Sequence, residues 1–415
     1  MARLKTSEVW RKARKARLAA RAAARLDSQT KNKILLSMAD YLEQGLAVVL
    51  KANAQDVMAA RPRLPASLLD RLILNERRVK VMADGLRAVA KLPDPNKRLV
   101  ERIKRPNRLR IEKITVPLGV IALIYEARPN VTADAAGLCL KAGSAVILRG
   151  GSDAARSNQV IVRILRKALR ANNAPEDIVQ SIETTSRRAV TELLNLRGYV
   201  DLLIPRGGAG LIQKVVAESS LPVLETGTGN CHVYVDEYAD VRKAVRITVN
   251  AKCQRPSVCN AAESLLVHQK IAARFFGALK MDEVLFYACP RARRYLPQAR
   301  PAREADYARE YLDLAMSVKI VDSLDEAIEH IYRYGTKHTE TIVTENKQNA
   351  EKFLREIDAA AVMVNASTRF TDGGEFGFGC EIGISTQKLH ARGPLGLREL
   401  MSYKYLVRGQ GQVRA

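Results

Sequence analysis

Histidine, aromatic residues and long apolar runs are scarce in these 415 residues, and each shortage narrows what the chain can do. Five histidines and six cysteines show no C-x-x-C and no His/Cys spacing of the kind that holds zinc, so no metal site is expected. The chain opens without the apolar core of a secretory signal, and the cysteines read as reduced thiols and not as a disulfide framework. No run of about 18 apolar residues is available for a helical membrane span. Aromatics make up 5% of the chain, too few to interleave with basic residues as base-stacking surfaces do. Neither G-x-G-x-x-G nor a Walker A loop occurs, and no repeat or low-complexity tract is visible.

What is present is ample apolar material, 47% of the chain, enough for about two or three domains. The charge is unusual: 68 basic against 44 acidic residues, a net +24. Lys and Arg are spread over the whole chain, with clusters at Arg11–Arg25, Lys97–Arg110 and Arg291–Arg303. That spread reads as a solvated basic surface, and nucleic acid is the lesser reading. The Arg-rich N-terminus could pass for a transit peptide. It runs without a break into a helical pattern, however, so it is expected to be the first helix of a cytoplasmic protein.

Residues 1–90 carry apolar positions at helical spacing, as in ILLSMADYLEQGLAVVL and again from Leu68 to Leu92. After the Pro93–Asn96 break, residues 99–115 alternate polar and apolar around Pro106-Asn107, which predicts a two-stranded hairpin. From Val116 short apolar runs (VPLGVIALIYEA, SAVILRGG, VDLLIPRGG, CHVYVD) alternate with helical segments, the pattern of βαβ units and a buried parallel sheet. Two of these strands end in Arg149-Gly150-Gly151 and Arg206-Gly207-Gly208-Ala-Gly210. Glycine past a strand lets the backbone approach a ligand and the next helix start favours anions, which suits a dinucleotide, with the arginines suited to the extra phosphate of NADP.

A second α/β unit is expected beyond, with a helix at Val241–Ala251, strands at 264–267, 318–321 and 360–365, and a helix at Leu324–Tyr334. PRARRYLPQARP (290–301) reads as an exposed loop. The polar stretch Ala366-Ser-Thr-Arg-Phe-Thr-Asp-Gly-Gly suits a carboxylate or phosphate. The C-terminal SYKYLVRGQ reads as an edge strand.

The stretch NAKCQRPSVCNAAE, Asn250 to Glu263, carries the chemistry. Asn, Arg, Pro and Ser crowd the approach to Cys259, a combination a packed core has little use for. Arg255 lies four positions before it, and a nearby cation favours the thiolate that attacks carbonyls. Cys253 follows directly on the helical run and reads as an inert core thiol, while His268, His330 and His338 lie in no polar motif and read as structural.

VPLGVIALIYEARPNVT, AVILRGG, LLIPRGGAGL, NCHVYVDE, NAKCQRPSVCNAAESLLVH, VNASTRFTDGGEFGFG and STQKLHARGPLGL together resemble the gamma-glutamyl phosphate reductase (glutamate-5-semialdehyde dehydrogenase) family of the aldehyde dehydrogenase superfamily, in the family's order and over nearly the whole chain. The resemblance implies an α/β, aldehyde dehydrogenase-like fold with two Rossmann-like open-sheet domains and a small β oligomerisation arm. It places the NADP-binding domain at 1–98 and 116–240, with part of 365–398 returning to it. The catalytic domain is then 241–364, and the arm 99–115 with 399–415.

Carried over by residue, the resemblance makes Cys259 the nucleophile and Asn130 an oxyanion-stabilising residue. It gives Arg149, Gly150, Pro205, Gly207, Gly208, Gly210 and Glu310 to the cofactor, with Glu310 on the nicotinamide ribose. Arg128, Arg255, Asn365, Ser367 and Arg369 are candidates for the substrate's phosphate and carboxylates, since a forked guanidinium matches both. Glu225 falls where oxidising members keep a hydrolytic base, but Thr-Gly-Thr-Gly follows it here. The segment 277–305 is shorter than the family's.

The implied reaction is NADPH-dependent reduction of L-glutamyl 5-phosphate through a Cys259 thioester, the second step of proline synthesis from glutamate. The implied partners are a homo-oligomer, dimer or tetramer, and a glutamate 5-kinase that supplies the substrate. The alternatives are a hydrolytic or CoA-acylating aldehyde dehydrogenase, and a basic nucleic-acid-binding protein on an inactive scaffold.

Overall fold

The structure, a computed structural model, describes residues 7–414, apart from the side chains at positions 66 and 67. The first six residues of the Arg-rich N-terminal stretch therefore lie outside the described part. The rest of it forms α1 (Glu8–Ala23), capped by Ser7, whose hydroxyl accepts from the Trp10 N–H at 3.0 Å. Its buried face is small: Val9, Ala13, Ala16, Ala20 and Ala23. Such a stripe lets the helix lie close on a sheet while Arg11, Arg14, Lys15 and Arg21 stay exposed. Helices α2 (Ser28–Gln44), α3 (Leu46–Ala60), α4 (Ala66–Leu72) and α5 (Glu76–Lys91) follow. α5 buries Val79, Met82, Ala83, Leu86 and Val89, the spacing that one helix face requires.

Strands β1 (Leu99–Lys104) and β2 (Arg110–Pro117) form the hairpin the alternation predicts. A last strand, β16 (Met401–Arg408), pairs antiparallel with β2 and completes a three-stranded sheet. Leu99, Val100, Tyr403, Tyr405 and Val407 on this sheet are exposed.

Between them lies the first open sheet. It runs through β3 (Val120–Tyr125), α6 (Asn130–Ala142), β4 (Ala145–Gly150), α7 (Ala155–Ala171), β5 (Val179–Ser181), α8 (Arg187–Leu193), β6 (Leu202–Arg206) and α9 (Ala209–Glu218). All four strands are parallel, in the order β5-β4-β3-β6. One face meets the alanine stripe of α1: Val120, Ala122, Ile124, Ala145 and Ile147 share a core with Ala13, Ala16 and Ala20. Because β4 lies on one side of β3 and β6 on the other, the winding reverses at β3. In open α/β sheets ligands bind beyond the carboxyl ends of the strands at such a reversal.

The second unit is built on a seven-stranded parallel sheet in the order β10-β9-β11-β8-β7-β12-β13. Its elements are β7 (Cys231–Val235), α10 (Val241–Cys253), β8 (Ala262–His268), α11 (Gln269–Ala278), β9 (Leu285–Ala288), α12 (Pro290–Arg293), β10 (Arg300–Pro301), α13 (Glu304–Tyr307), β11 (Ala315–Val321), α14 (Leu324–Tyr334), β12 (Thr339–Val343), α15 (Lys347–Glu356) and β13 (Ala361–Val364). A small pair, β14 (Ile384–Ser385) with β15 (Gly393–Pro394), belongs to it as well.

Two expectations are corrected. The boundary between the units falls after Glu225 and not after residue 240, because β7 pairs with β8 and β12. The 290–301 stretch is not a bare loop. Cys289 caps α12 through its sulfur, Ala292 is buried, and Arg300-Pro301 adds an edge strand beside β9. Among the described residues no helix is long and apolar enough to cross a membrane.

Candidate active site

The Cys259 turn is held at both of its ends. α10 delivers the chain into it at Lys252-Cys253, and β8 takes the chain out from Ala262. Lys252 and Glu263 flank the turn and form a fully buried ion pair at 2.6 Å. The second Glu263 oxygen accepts from the Leu312 N–H at 3.1 Å. Burial pushes the Glu263 carboxyl up to about 7, against the pull of Lys252.

Lys252→Met is expected to destabilise the protein by about 3–5 kcal/mol at pH 8, since it strands a buried carboxylate. A carboxyl that titrates higher folded than unfolded stabilises the fold below its unfolded value and loses that contribution as pH rises through the folded one. The cost of the variant should therefore shrink as pH falls from 8 towards 5. Denaturant unfolding of both proteins across that range checks it.

Gly229 lies against the turn. A Cβ there would fall on the backbone carbonyl of Cys259, so the contact requires glycine. The Gly229 N–H donates to a Glu310 carboxylate oxygen at 2.7 Å. Asn230 fixes the next residue, its side-chain amide donating to the carbonyls of Tyr307 (2.7 Å) and Tyr334 (2.8 Å). The buried Cys231 thiol donates to the Cys259 carbonyl at 3.2 Å and also meets the ring nitrogen Nδ1 of His338 at 3.6 Å.

His338 is fully buried just before β12, and the Cys259 side chain interacts with the same imidazole. Burial pushes the ring's pKa down, but the neighbouring Cys259 side chain, backed by Glu310 and Glu340, outweighs it and moves it up. His338, read from the sequence as structural, thus packs on the Cys259 turn through the Cys231 thiol. His330 fits that reading, since burial takes its pKa down to about 2. His268 caps α11, accepting from the Lys270 N–H at 3.2 Å. Cys253 is half-buried, with burial raising its thiol.

The polar loop after β13 reaches this turn through one arginine. Arg369 donates to the Gln254 side chain at 2.8 Å and to the Asn260 side-chain oxygen, while Asn260 donates to the carbonyls of Arg369 (3.3 Å) and Thr371 (2.9 Å). Ser367 accepts from the Arg369 N–H at 3.3 Å and is buried. Arg255 is exposed on the turn itself. Asn365 is not part of this group. At φ +55° it exchanges both ends of its amide with the Thr344 backbone, at 2.8 and 2.9 Å, and so serves as a loop staple.

In the first unit Arg149 closes β4, and it does something other than present its fork to a ligand. Nη1 donates to the Gly150 carbonyl (3.0 Å) and Nη2 to those of Thr185 (2.7 Å) and Ser186 (3.4 Å), which pins the loop after β5. Burial lowers its pKa, against the attraction of Glu126. Its Nε is buried with no acceptor in the protein. Gly150 packs against the Asn158 side chain.

Pro205 lies in β6, and Gly207 and Gly208 follow that strand. A Cβ at Gly207 would press on the Glu126 carboxylate and Leu211, and the Gly208 N–H donates to Glu126 at 3.0 Å. Around Gly210 the space is open. Asn130 begins α6 and donates to Asp134 at 3.0 Å, and the Arg128 carbonyl accepts from the Val131 N–H at 3.1 Å.

One unit holds a parallel open sheet with a winding reversal and the other a cysteine on a glycine-braced turn, features that suit a cysteine-dependent dehydrogenase. The chain belongs to the aldehyde dehydrogenase family, whose model matches residues 1–282. Among its relatives is the gamma-glutamyl phosphate reductase of Moorella thermoacetica, 57% identical over 98% of this chain and 99% of that one. The enzyme of the same name from Caldanaerobacter subterraneus is 55% identical over 98% and 100%. The crystal structure of gamma-glutamyl phosphate reductase from Thermotoga maritima matches with TM-score 0.93 and 49% identity, covering 99% of this chain and 100% of that one.

Proposed function

We propose that this protein reduces L-glutamyl 5-phosphate to L-glutamate 5-semialdehyde and phosphate, with NADPH as hydride donor, as the second step of proline synthesis from glutamate. The names of its relatives support the substrate. The observation that carries the chemistry is Cys259 on a turn braced by Gly229, Cys231 and Asn260.

Residues at the carboxyl ends of β3, β4 and β6 fit a dinucleotide. The Gly208 N–H already holds an anionic oxygen, that of Glu126, and the buried Arg149 Nε lacks an acceptor that a ligand oxygen would supply. Arg149, Gly150, Pro205, Gly207, Gly208 and Gly210 would line that site, and Glu310, which also holds Gly229, would take the ribose. The loop that Arg149 pins leads to the exposed Arg187 and Arg188, which offer positive charge to the extra phosphate of NADP. When bound, NADPH supplies the hydride that reduces the thioester.

The Cys259 sulfur attacks the acyl carbon, the carbon–oxygen bond to phosphate breaks, and a thioester remains on Cys259. Phosphate is a far better leaving group than hydroxide, so this step needs no hydrolytic base. Asn130 and the Cys259 N–H donate to the developing oxyanion; one such donor typically supplies about 2.7–4 kcal/mol. Arg128, Arg255, Ser367 and Arg369 bind the phosphate and carboxylates, and the Gln254 and Asn260 side chains orient Arg369 in advance. Asn365 is left out, its amide being consumed by Thr344.

The enzyme is a cytoplasmic homo-oligomer joined through the three-stranded sheet, and it receives its acyl phosphate from a glutamate 5-kinase. The direct test is the reverse reaction, semialdehyde oxidation by NADP, which must require inorganic phosphate.

A further inference from the structure

We infer that His338 is the proton acceptor for Cys259, the fully buried imidazole exchanging one proton with the nucleophilic thiol in each turnover. The inference rests on the reading of Cys259 as nucleophile and adds the group that activates it.

The hydrogen-bond chain fixes which ring nitrogen is basic. The Thr339 hydroxyl donates its single hydrogen to the Thr371 hydroxyl at 2.9 Å. Its oxygen is therefore the acceptor in its 2.9 Å contact with the His338 Nδ1. Nδ1 must then carry the hydrogen, and the neutral ring presents a lone pair at Nε2. That nitrogen is buried and has no conventional hydrogen-bond partner, a costly arrangement in a core unless the site uses it. The Cys231 thiol touches both the imidazole and the Cys259 carbonyl, so the ring and the nucleophile share one small volume.

The groups facing the ring are Cys259, Cys231, Thr339, Glu310 and Glu340. Of these, the two carboxylates favour an imidazolium once the proton arrives. His330 provides the internal contrast. Burial and the nearby His232, Lys319 and Arg333 all disfavour its charged form, leaving it without an acid–base role.

The step balances as follows. The Cys259 proton moves to Nε2, giving thiolate and imidazolium. The sulfur forms its bond to the acyl carbon as the bond to phosphate breaks, and the imidazolium proton leaves with the phosphate as hydrogen phosphate. After reduction the carbon–sulfur bond breaks, the electron pair returns to sulfur, and a proton drawn from solvent restores the starting pair. One proton and one hydride are consumed per semialdehyde formed.

His338→Asn keeps a donor for Thr339 and removes only the Nε2 base. The experiment is the pH profile of iodoacetamide alkylation, read at the Cys259 peptide by mass spectrometry in the full-length protein without substrate. Wild type should stay reactive well below neutral pH. The variant should follow an ordinary thiol, titrating near about 8.5, with reactivity at pH 6.5 lower by tenfold or more. Superimposable profiles would overturn the inference.

If the variant does not fold, nitrogen NMR of the labelled histidines in wild type and Cys259→Ala decides instead. A downward move of the His338 titration on loss of the thiol is expected, and an unchanged titration would overturn the pairing. Neither readout depends on turnover. Failure of Cys259 as nucleophile would show separately, as activity retained in Cys259→Ala.

Discussion

Cys259→Ala is expected to abolish NADPH-dependent reduction, by on the order of 10⁴-fold or more, while NADPH binds as in wild type. The size of the effect follows from covalency. Without the sulfur no thioester forms, and hydride would have to reach an acyl phosphate with no intermediate between them. NADPH binding should persist because every residue proposed for the phosphates and adenosine, Arg149, Gly207 and Gly208 among them, lies outside the cysteine turn. Steady-state rates together with NADPH fluorescence titration check both halves. A variant keeping more than a few per cent of wild-type turnover would remove Cys259 from its role.

Gly229→Ala should come second in severity, with catalysis lower by about 100-fold or more and a stability loss of about 1–3 kcal/mol. The added carbon would fall on the Cys259 carbonyl, which is backbone and is also held by the Cys231 thiol. The glycine cannot retreat either, since its N–H is bound to Glu310. Whichever side yields, the nucleophile moves, and displacements of about an ångström at a reacting atom cost on this scale. Gly277→Ala is the control: its Cβ would meet open space on the solvent-facing side of α11, so activity should not change. Thermal unfolding and kcat for the two variants separate the site effect from any general cost of replacing glycine.

The sequence made the elements legible where a single face decides them. Leu324–Tyr334 is a helix with the expected bounds because its apolar positions recur on one side, and the hairpin at 99–115 follows from polar and apolar residues alternating around the Pro106-Asn107 turn. The turn that carries Cys259 was legible for a related reason: polar and proline neighbours mark a turn and not a core. The domain boundary was misjudged because CHVYVD reads the same in either sheet, and only its pairing with β8 and β12 assigns it.

His338 reads as structural from the sequence because it lies 79 positions from Cys259, and KHTETIV looks like any strand entrance. The one available signal was the run of hydroxyls after it, which proves to hold the ring. For Arg149 the sequence places it at the end of a strand, but its fork goes to the carbonyls of Thr185 and Ser186, partners no local pattern reveals.

The central claim, acyl transfer between Cys259 and phosphate, is tested most directly by the reverse reaction. Purified protein is mixed with pyrroline-5-carboxylate in equilibrium with its open semialdehyde, and with NADP, with inorganic phosphate present or withheld. The account predicts sustained NADPH formation only with phosphate; without it, formation should stop after about one equivalent per active chain, leaving the thioester on Cys259 with no acceptor. Sustained formation without phosphate would contradict it, and would make hydrolysis the chemistry and Glu225 the base to examine.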